Sequence, residues 1–315
     1  MTPILTITLN PALDLSTGLE HLEKNKKLRC EAATLEPGGG GVNVARAINK
    51  LGRKSRSFAA IGGPTGQAYK SLLTEELSDS LWFDIPGMTR QSFVVNEHSS
   101  NSQYRFVLPG PEWSAETSEK FCERLREKLE SGMFAVASGS LPPGVPDNFY
   151  EKLAALIAEA GGKLLVDTSG DALRALANAD HTKVGVLVMD EDEACQIADC
   201  QDLEVDVARD LGQDLLQRRV AEVVAITLGA RGAIVADKHE SWRVTPPEVE
   251  VVSKVGAGDS FVAGLVIGLI EQRGLDWAAA NAMAAATSAV TTPGTELCTA
   301  DGTETYRGLV SCAAL

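Results

Sequence analysis

The sequence has few basic residues for its size. Its 315 residues include 43 Asp and Glu against 29 Lys and Arg, which gives a formal net charge of -14. Nucleic acids and anionic membrane surfaces attract proteins of the opposite charge, so this balance argues against both as partners. An anionic small molecule would need several of the few basic residues gathered at its own binding site.

Long apolar runs and export signals are also missing. The longest apolar stretch, Phe261–Ile270, is interrupted by glycines and is shorter than the roughly 20 residues that span a bilayer. Residues 1–9 contain no basic leader and no small-residue cleavage site, so we expect no secretory signal. Six cysteines are scattered without a C-x-x-C pair, as is typical of a reduced cytoplasmic protein. We therefore expect a soluble, cytoplasmic protein.

Short apolar runs alternate with helical patterns along the chain. Buried strands are predicted at Ile4–Leu9, Phe58–Ile61, Phe134–Ala137, Lys163–Val166, Val184–Val188 and Val223–Leu228. Helices are predicted at Val42–Leu51, Gly66–Leu77, Ala115–Glu130, Asp147–Ala160 and Val205–Arg219. This alternation favours an α/β fold in which helices cover both faces of a mostly parallel sheet. No linker divides the sequence, so we expect one domain over residues 1–315.

Two segments break this alternation. Charged and apolar residues alternate over Lys27–Ala32, which is typical of a half-exposed strand. In the second segment three apolar side chains share one face of a strand and an arginine takes the other: Tyr104, Phe106 and Leu108 against Arg105. We expect both segments to belong to a small separate sheet, a lid, inserted at about residues 15–33 and 88–109.

The strongest local signal is the turn Gly256-Ala257-Gly258, which is followed at once by Asp259 and an apolar helical pattern. Such a turn points unpaired backbone N–H groups at one spot, where the helix dipole attracts an anion. A carboxylate at that spot repels phosphate, but it can accept a proton from a hydroxyl that attacks a phosphoryl group. On spacing alone, an equally good interpretation is that Asp259 only caps the helix.

Two other glycine clusters are candidate ligand sites. In Pro37–Ala45 four glycines precede a helix start that carries Asn43, whose amide can both donate and accept hydrogen bonds. A flexible surface turn is the competing interpretation. In Thr227–Gly232 a strand ends in a tight turn, where a nucleotide can bind, although such turns more often hold no ligand. The motifs G-x-x-x-x-G-K-[ST] and G-x-G-x-x-G are both absent from the sequence.

Several motifs in a fixed order resemble those of the ribokinase-like PfkB carbohydrate kinases. They are Thr8–Asp14, Lys27–Cys30, Glu36–Ile48, Thr89–Gln91, Gln103–Phe106, Ser138–Gly144 and Val255–Ser260. The resemblance covers nearly the whole chain and is greatest to the branch with 6-phosphofructokinases, tagatose-6-phosphate kinases and 1-phosphofructokinases. It implies a three-layer α/β/α fold with a lid, and a homodimer joined through the apolar faces of the lids.

The resemblance also implies a role for each matching residue. Asp259 would be the catalytic base, and Gly256, Ala257 and Gly258 would form the anion hole. The sugar hydroxyls would be held by Asp14, Gly39, Gly40 and Asn43. The sugar's phosphate would be surrounded by Lys27, Arg29, Arg90, Arg105 and Ser140. Arginine suits phosphate because its planar fork donates two parallel charge-assisted hydrogen bonds.

For the nucleotide, the resemblance implies ATP with Mg²⁺, bound by Asp190, Glu193, Thr227, Gly229 and Gly232. Glu193 would contact the magnesium ion through water. In some relatives a monovalent cation, which can be K⁺, is also bound. The corresponding oxygens here would come from Ser253, Val255, Ala289, Thr292 and Gly294.

The chain departs from the family pattern beside Glu193. Relatives carry Lys-Pro-Asn where this sequence has Val188-Met189-Asp190, and Glu191 adds a further carboxylate. Losing a cation and gaining negative charge should weaken ATP binding or make it depend more strongly on the metal. We expect phosphorylation of fructose 6-phosphate by ATP. The alternatives are tagatose-6-phosphate kinase, 1-phosphofructokinase, or a sugar-phosphate-binding protein with impaired kinase activity.

Overall fold

A computed structural model describes residues 2–179, 184–293 and 296–315. Its large sheet contains, in chain order, β1 (Ile4–Thr8), β4 (Arg56–Ile61), β5 (Leu81–Asp84), β8 (Phe134–Ser138), β9 (Lys163–Asp167), β10 (Val184–Met189), β11 (Ala221–Thr227), β12 (Ala233–Asp237), β13 (Ser241–Thr245) and β14 (Ser311–Ala314). Across the sheet the order is β14-β13-β12-β11-β10-β9-β8-β1-β4-β5. Neighbouring strands from β11 to β5 are parallel, and β12, β13 and β14 continue the sheet in antiparallel pairs.

Helices cover both faces of this sheet. They are α1 (Gly40–Lys50), α2 (Gly63–Glu76), α3 (Ala115–Arg126), α4 (Phe149–Glu159), α5 (Gly170–Asn178), α6 (Glu191–Ala198), α7 (Val205–Gln217), α8 (Ala257–Glu271), α9 (Leu275–Val290) and α10 (Ala300–Arg307). One core cluster joins the sheet to α3 through α7, and a second joins it to α1, α8 and α9. Successive residues of a strand enter opposite clusters, as in Leu164 and Leu165 of β9, because side chains alternate across a sheet. The predicted three-layer α/β/α fold is confirmed.

A second, four-stranded sheet is the lid. It consists of β2 (Ala12–Leu19), β3 (Thr34–Gly38), β6 (Arg90–Glu97) and β7 (Ser102–Val107), in the order β3-β2-β6-β7. The register pairs Leu15 with both Leu35 and Phe93, and Phe93 with Phe106, so these side chains share one face. Asp14, Ser92 and Arg105 lie on the opposite face. The predicted division into an apolar and an arginine-bearing face is therefore present.

The strand predicted over Lys27–Ala32 is wrong. This segment is irregular and mostly exposed, and the strand begins instead at Thr34. The register of β3 ends where Thr34 faces Ser16, and before that point the backbone N–H of Glu31 still donates to the carbonyl of Gly18 at 2.9 Å. Because no layer buries either side of Lys27–Ala32, its alternation of charged and apolar residues does not report a buried face.

The residues that the structure describes include no helix long and apolar enough to cross a membrane.

Candidate active site

Two helices that begin at glycines meet at the centre of the candidate site. The residue before α1 is Gly39, with φ of 128°, and the residue before α8 is Gly256, with φ of 78°. Both values favour glycine over other residues. In the first turns of these helices the side-chain amide of Asn43 donates a hydrogen bond to Oδ2 of Asp259 at 3.0 Å. The two strongest glycine signals of the sequence therefore belong to one site.

The N-terminus of α8 is built to receive an anion. A side chain at position 256 would place its Cβ only 2.6 Å from Leu297 Cδ2, whereas at Gly258 no atom lies within 4 Å of the corresponding point. Among the described residues no side chain caps this end of the helix. Its first N–H groups therefore lack a side-chain partner there and remain candidates to bind an anion. The carboxylate of Asp259 bonds Asn43 and does not serve as the N-cap.

The surroundings of Asp259 raise the pKa of its carboxyl group. Burial and, to a smaller extent, the nearby charge of Asp167 raise the pKa of Asp259 from its ordinary value of 3.8 to about 7. The hydrogen bond from Asn43 acts in the opposite direction, because it stabilises the carboxylate. At neutral pH this group can therefore accept a proton and release it again.

Asp167, at the end of β9, is a site residue that the sequence analysis missed. Its Oδ2 accepts a hydrogen bond from the Ser138 hydroxyl at 2.8 Å, and its carbonyl accepts the N–H of Gly139 at 2.9 Å. Burial raises the pKa of Asp167, and the charge of Asp190 adds to this effect. The predicted strand ended at Val166, one residue too early. The available signal was a carboxylate at the carboxyl end of a buried parallel strand, where ligands bind in such sheets.

The polar face of the lid carries several of the residues predicted to bind the sugar phosphate. Burial raises the pKa of Asp14, while the Ser92 hydroxyl and the positive charges of Arg90 and Arg105 oppose the shift. The guanidinium of Arg90 donates to the carbonyl of Asn10 at 3.1 Å. Arg105 is exposed on the same face. Glu36 is paired with Asp14 in the register, so two arginines and two carboxylates share this face.

A cavity of about 540 Å³ continues from this face of the lid. Asn10, Arg90 and Ser140 line it, together with the segments 107–110 and 141–145 and Asp147. The side chain of Asn10 donates to the Ser140 hydroxyl at 3.2 Å. Backbone contact is close here, since a Cβ at Gly40 would lie 2.1 Å from the Ser138 hydroxyl. The predicted ligands Gly40, Arg90 and Ser140 are therefore brought to one region.

Lys27 and Arg29 are placed differently. Both are exposed in the irregular segment between β2 and β3. They do not take part in the contacts that join Asp14, Arg90 and Asn10. The structure therefore does not assemble these two basic residues with the other predicted phosphate ligands.

Asp190 and Glu193, which are predicted to bind the nucleotide, form a reciprocal cap at the start of α6. Asp190 Oδ1 accepts the N–H of Glu193, and Glu193 Oε2 accepts the N–H of Asp190, both at 2.8 Å. Burial, together with the carboxylates of Asp190 and Asp167, raises the pKa of Glu193 to about 7. The N–H of Asp190 opposes the shift. Asp259, Asp167, Asp190 and Glu193 thus form a series of mutually repelling carboxylates across the site.

The turn after β11 lies beside this series. Thr227 ends the strand, residues Gly229–Arg231 form one turn of 3-10 helix, and Gly232 follows with a carbonyl that accepts the N–H of Leu228. Arg231 donates to Glu191 at 2.6 Å and to the carbonyl of Leu203 at 3.0 Å. The extra negative charge of Glu191 is therefore paired with Arg231, whereas Asp190 faces other carboxylates.

Comparison with known proteins places the chain in a family. The model of the pfkB family carbohydrate kinases matches residues 5–301. The chain is 36% identical over 306 residues to "ATP-dependent 6-phosphofructokinase isozyme 2" of Mycobacterium tuberculosis, covering 96% of this chain and 88% of that protein. It is also 36% identical over 307 residues to the protein of the same name from Escherichia coli, covering 96% and 97%. A crystal structure of phosphofructokinase-2 from Escherichia coli with potassium superposes with a TM-score of 0.91 at 34% identity, over 98% of this chain and 99% of that one.

The chain belongs to the pfkB family of carbohydrate kinases. It is a phosphotransferase that acts on a sugar hydroxyl.

Proposed function

We propose that the protein transfers the γ-phosphoryl group of ATP to the C1 hydroxyl of fructose 6-phosphate, with Asp259 as the general base. The observation that carries the proposal is the placement of Asp259. Its carboxylate is held by Asn43 at 3.0 Å beside the open N-terminus of α8, with a pKa near neutrality. A base whose pKa lies near the working pH can take the hydroxyl proton during attack, an effect of about 10²–10⁴ in rate.

The chain's own groups account for the remaining steps. Asn43 leaves the second carboxylate oxygen of Asp259 available for the sugar hydroxyl, and Asp14 orients the other hydroxyls. The first N–H groups of α8 stabilise the negative charge that develops on the transferred phosphoryl group, since they are preorganised donors at the positive end of a helix. Glycine suits position 256 because a φ of 78° strains other residues, and a side chain there would also displace the end of Leu297.

The preference for a phosphorylated sugar rests on the basic residues of the lid. Arg90 and Arg105 share the polar face with Asp14, and the cavity lined by Asn10 and Ser140 is continuous with that face. In a chain of formal charge -14, two arginines on one face can bind an anionic group, and the carboxylates of Asp14 and Glu36 beside them can bind hydroxyls. Lys27 and Arg29 extend the site only if the exposed segment that carries them moves toward the substrate. The names of the two relatives support fructose 6-phosphate as this substrate.

The carboxylates fit a magnesium ion that arrives with ATP. The described residues include no group of three His, Cys, Asp or Glu side chains placed to hold a metal by themselves. Mg²⁺ commonly keeps several waters and binds through phosphates with one or two carboxylates. Glu193 and Asp167 would hold its waters, and Thr227, Gly229 and Gly232 would border the nucleotide. When bound, the ion neutralises phosphate charge that the carboxylate series would otherwise repel.

A monovalent cation site next to α8 fits only in part. The N–H groups of Val252 and Ser253 donate to the Val290 carbonyl at 2.8 and 3.2 Å, so the segment before α8 lies against the end of α9. Ser253, Val255 and Thr292 therefore lie in neighbouring segments, where the Ser253 hydroxyl accepts the N–H of Val255 at 3.2 Å and the Thr292 hydroxyl donates to the carbonyl of Glu296 at 3.0 Å. The Ala289 carbonyl already accepts both the N–H and the hydroxyl of Thr292, so it could bind K⁺ only after that hydroxyl turned away. Gly294 lies outside the described residues.

The apolar face of the lid supports a homodimer. Leu35 and Phe106 are 45% and 49% exposed there, and Tyr104 is 37% exposed. Their neighbours Leu15 and Phe93 extend the same face. A second copy of the chain that packed lid against lid would remove this surface from water, which is favourable at roughly 25 cal/mol per Å² of apolar area.

A substrate panel tests the proposed reaction. Purified protein with ATP and magnesium is supplied in turn with fructose 6-phosphate, tagatose 6-phosphate, fructose 1-phosphate and fructose, and ADP formation is followed. The proposal predicts the highest kcat/KM with fructose 6-phosphate. Turnover with only one of the other sugar phosphates would reassign the substrate, and binding of sugar phosphate without ADP formation would leave a sugar-phosphate-binding protein.

A further inference from the structure

Two thiols meet at the C-terminal end of α6. Cys195 lies in the last turn of this helix and Cys200 follows two residues after its end, and their sulfur atoms are 3.1 Å apart. Both cysteines are free and half-buried. A disulfide bond holds its sulfurs at about 2.05 Å, so an approach of roughly 1 Å separates this pair from the bonded distance.

The backbone itself brings the two cysteines together. Asp199 adopts the left-handed conformation, with φ of 52°, and the N–H of Cys200 donates to the carbonyl of Cys195 at 3.0 Å. This hydrogen bond across the helix end is typical of a Schellman motif, in which the side chains at the two bonded positions contact each other. Many helices place apolar side chains at these positions, whereas here both are thiols.

We propose that Cys195 and Cys200 are a redox-active pair that a low-molecular-weight disulfide converts to an intramolecular disulfide. The thiolate of one cysteine attacks the oxidant, which forms a mixed disulfide and releases one small thiol. The second cysteine then attacks the protein-side sulfur of that mixed disulfide, which closes the Cys195–Cys200 bond and releases the second small thiol. In total the two cysteines lose two electrons and two protons, and the oxidant gains them as two thiols.

The segment that contains the cysteine pair is hydrogen-bonded to the turn Gly229–Arg231. Arg231 binds the carbonyl of Leu203, three residues after Cys200, and also the carboxylate of Glu191 in the first turn of α6. The turn Gly229–Arg231 is therefore attached to the chain on both sides of the segment that the disulfide would close. The oxidation itself does not depend on the proposed kinase reaction.

Peptide mapping tests the proposal. The reduced protein is incubated with oxidised glutathione at mildly alkaline pH, because the hydrogen bond with Cys200 and burial raise the pKa of Cys195 to about 11. Remaining thiols are then alkylated and the protein is digested with trypsin. Cleavage after Lys183 and Arg209 yields one peptide that contains both cysteines. We expect this peptide to be lighter by two hydrogen atoms and to carry neither glutathione nor alkyl groups.

The exposed cysteines provide an internal control. Cys30 and Cys312 are exposed, so they report whether the oxidant reacted at all, as glutathione adducts. In the variant Cys195→Ser we expect the same peptide to carry a single glutathione or alkyl group on Cys200. The proposal would be overturned by a wild-type peptide that carried two alkyl groups, or glutathione on either cysteine, while Cys30 and Cys312 were glutathionylated. This readout on the wild-type protein requires no variant to fold.

Discussion

The amide of Asn43 donates a hydrogen bond of 3.0 Å to the carboxylate of Asp259, and this bond joins the first turns of α1 and α8 across 216 residues of sequence. Within the part of the chain that the structure describes, it is the contact that stabilises the charged form of Asp259. Burial and Asp167 both favour the protonated form and prevail, because the resulting pKa is about 7. The site therefore holds a carboxyl group that can take up or release a proton near neutral pH, and the surroundings of this group disfavour its charged form.

One consequence is that Asp259→Asn should stabilise the folded protein above neutral pH. An aspartate whose pKa rises from 3.8 to about 7 on folding binds more protons in the folded than in the unfolded chain between these values. The free energy of unfolding therefore falls as pH rises through that window. Asparagine removes the effect, and after discounting for solvent at the partly open site we expect a gain of about 1–3 kcal/mol at pH 8.

Thermal unfolding at two pH values measures this gain. The variant should unfold at a higher temperature than the wild type at pH 8, and the difference should shrink toward pH 4.5, where the wild-type carboxyl is mostly protonated. An equal or lower unfolding temperature for Asp259→Asn at pH 8 would count against a strongly perturbed carboxyl.

The pH dependence of turnover should reflect the same group. Because the base must be deprotonated, kcat/KM should rise with pH and level off above an apparent pKa of about 7. Glu193 titrates in the same range, so the measurement is repeated with Glu193→Gln, which keeps the acceptor of its helix cap. The rising limb should persist in this variant. If it disappeared, the limb would belong to Glu193.

Removing the charge of Asp190 should improve nucleotide binding. Asp190→Asn keeps an N-cap oxygen for α6 while it removes a carboxylate that repels both Asp167 and Glu193. We expect KM for ATP with magnesium to fall by about two- to tenfold. Asp199→Asn, at the other end of the same helix, is the matched control and should leave KM unchanged. An increase in KM for Asp190→Asn would mean that the carboxylate helps to bind the metal.

The proposed dimer predicts that Phe106→Asp weakens self-association. The substitution puts a charge on the apolar lid face, on its edge strand β7, where burial on dimerisation would leave it unpaired. Light scattering should give the mass of a dimer for the wild type and a lower mass at equal concentration for the variant. Val207→Asp, at an exposed position of α7, should behave as the wild type. A monomeric wild type at micromolar concentration would refute the dimer.

Much of the fold could be predicted because its signals are local. Strands such as β1 and β10 are continuous apolar runs, and the helices between them repeat with helical periodicity. The lid was harder to predict because its strands are half-exposed. The alternation of side chains at Tyr104 and Phe106 does mark a strand, β7, whereas the similar alternation at Lys27–Ala32 does not. Alternation predicts a strand only where a partner strand and a buried face exist, and neither is visible in the sequence.

The candidate site, like the fold, could be predicted only in part. Glycine-rich helix starts identified Asn43 and Asp259 separately, but their hydrogen bond depends on the packing of α1 against α8. Asp167 had no local motif beyond its position at the end of a strand. The raised pKa of Asp259 arises from burial and from the charge of Asp167, which no sequence motif marks. Sequence motifs therefore identified Asn43 and Asp259 as candidates, and the fold supplies the surroundings that raise the pKa of Asp259.

The role of Asp259 is tested most directly by the turnover of Asp259→Asn with fructose 6-phosphate, ATP and magnesium, measured beside the wild type and the Asp199→Asn control. The side chain of asparagine is nearly isosteric with aspartate and can still contact Asn43, so KM for both substrates should remain nearly unchanged. The account predicts a fall in kcat of about 10²–10⁴. Turnover close to that of the wild type would contradict it.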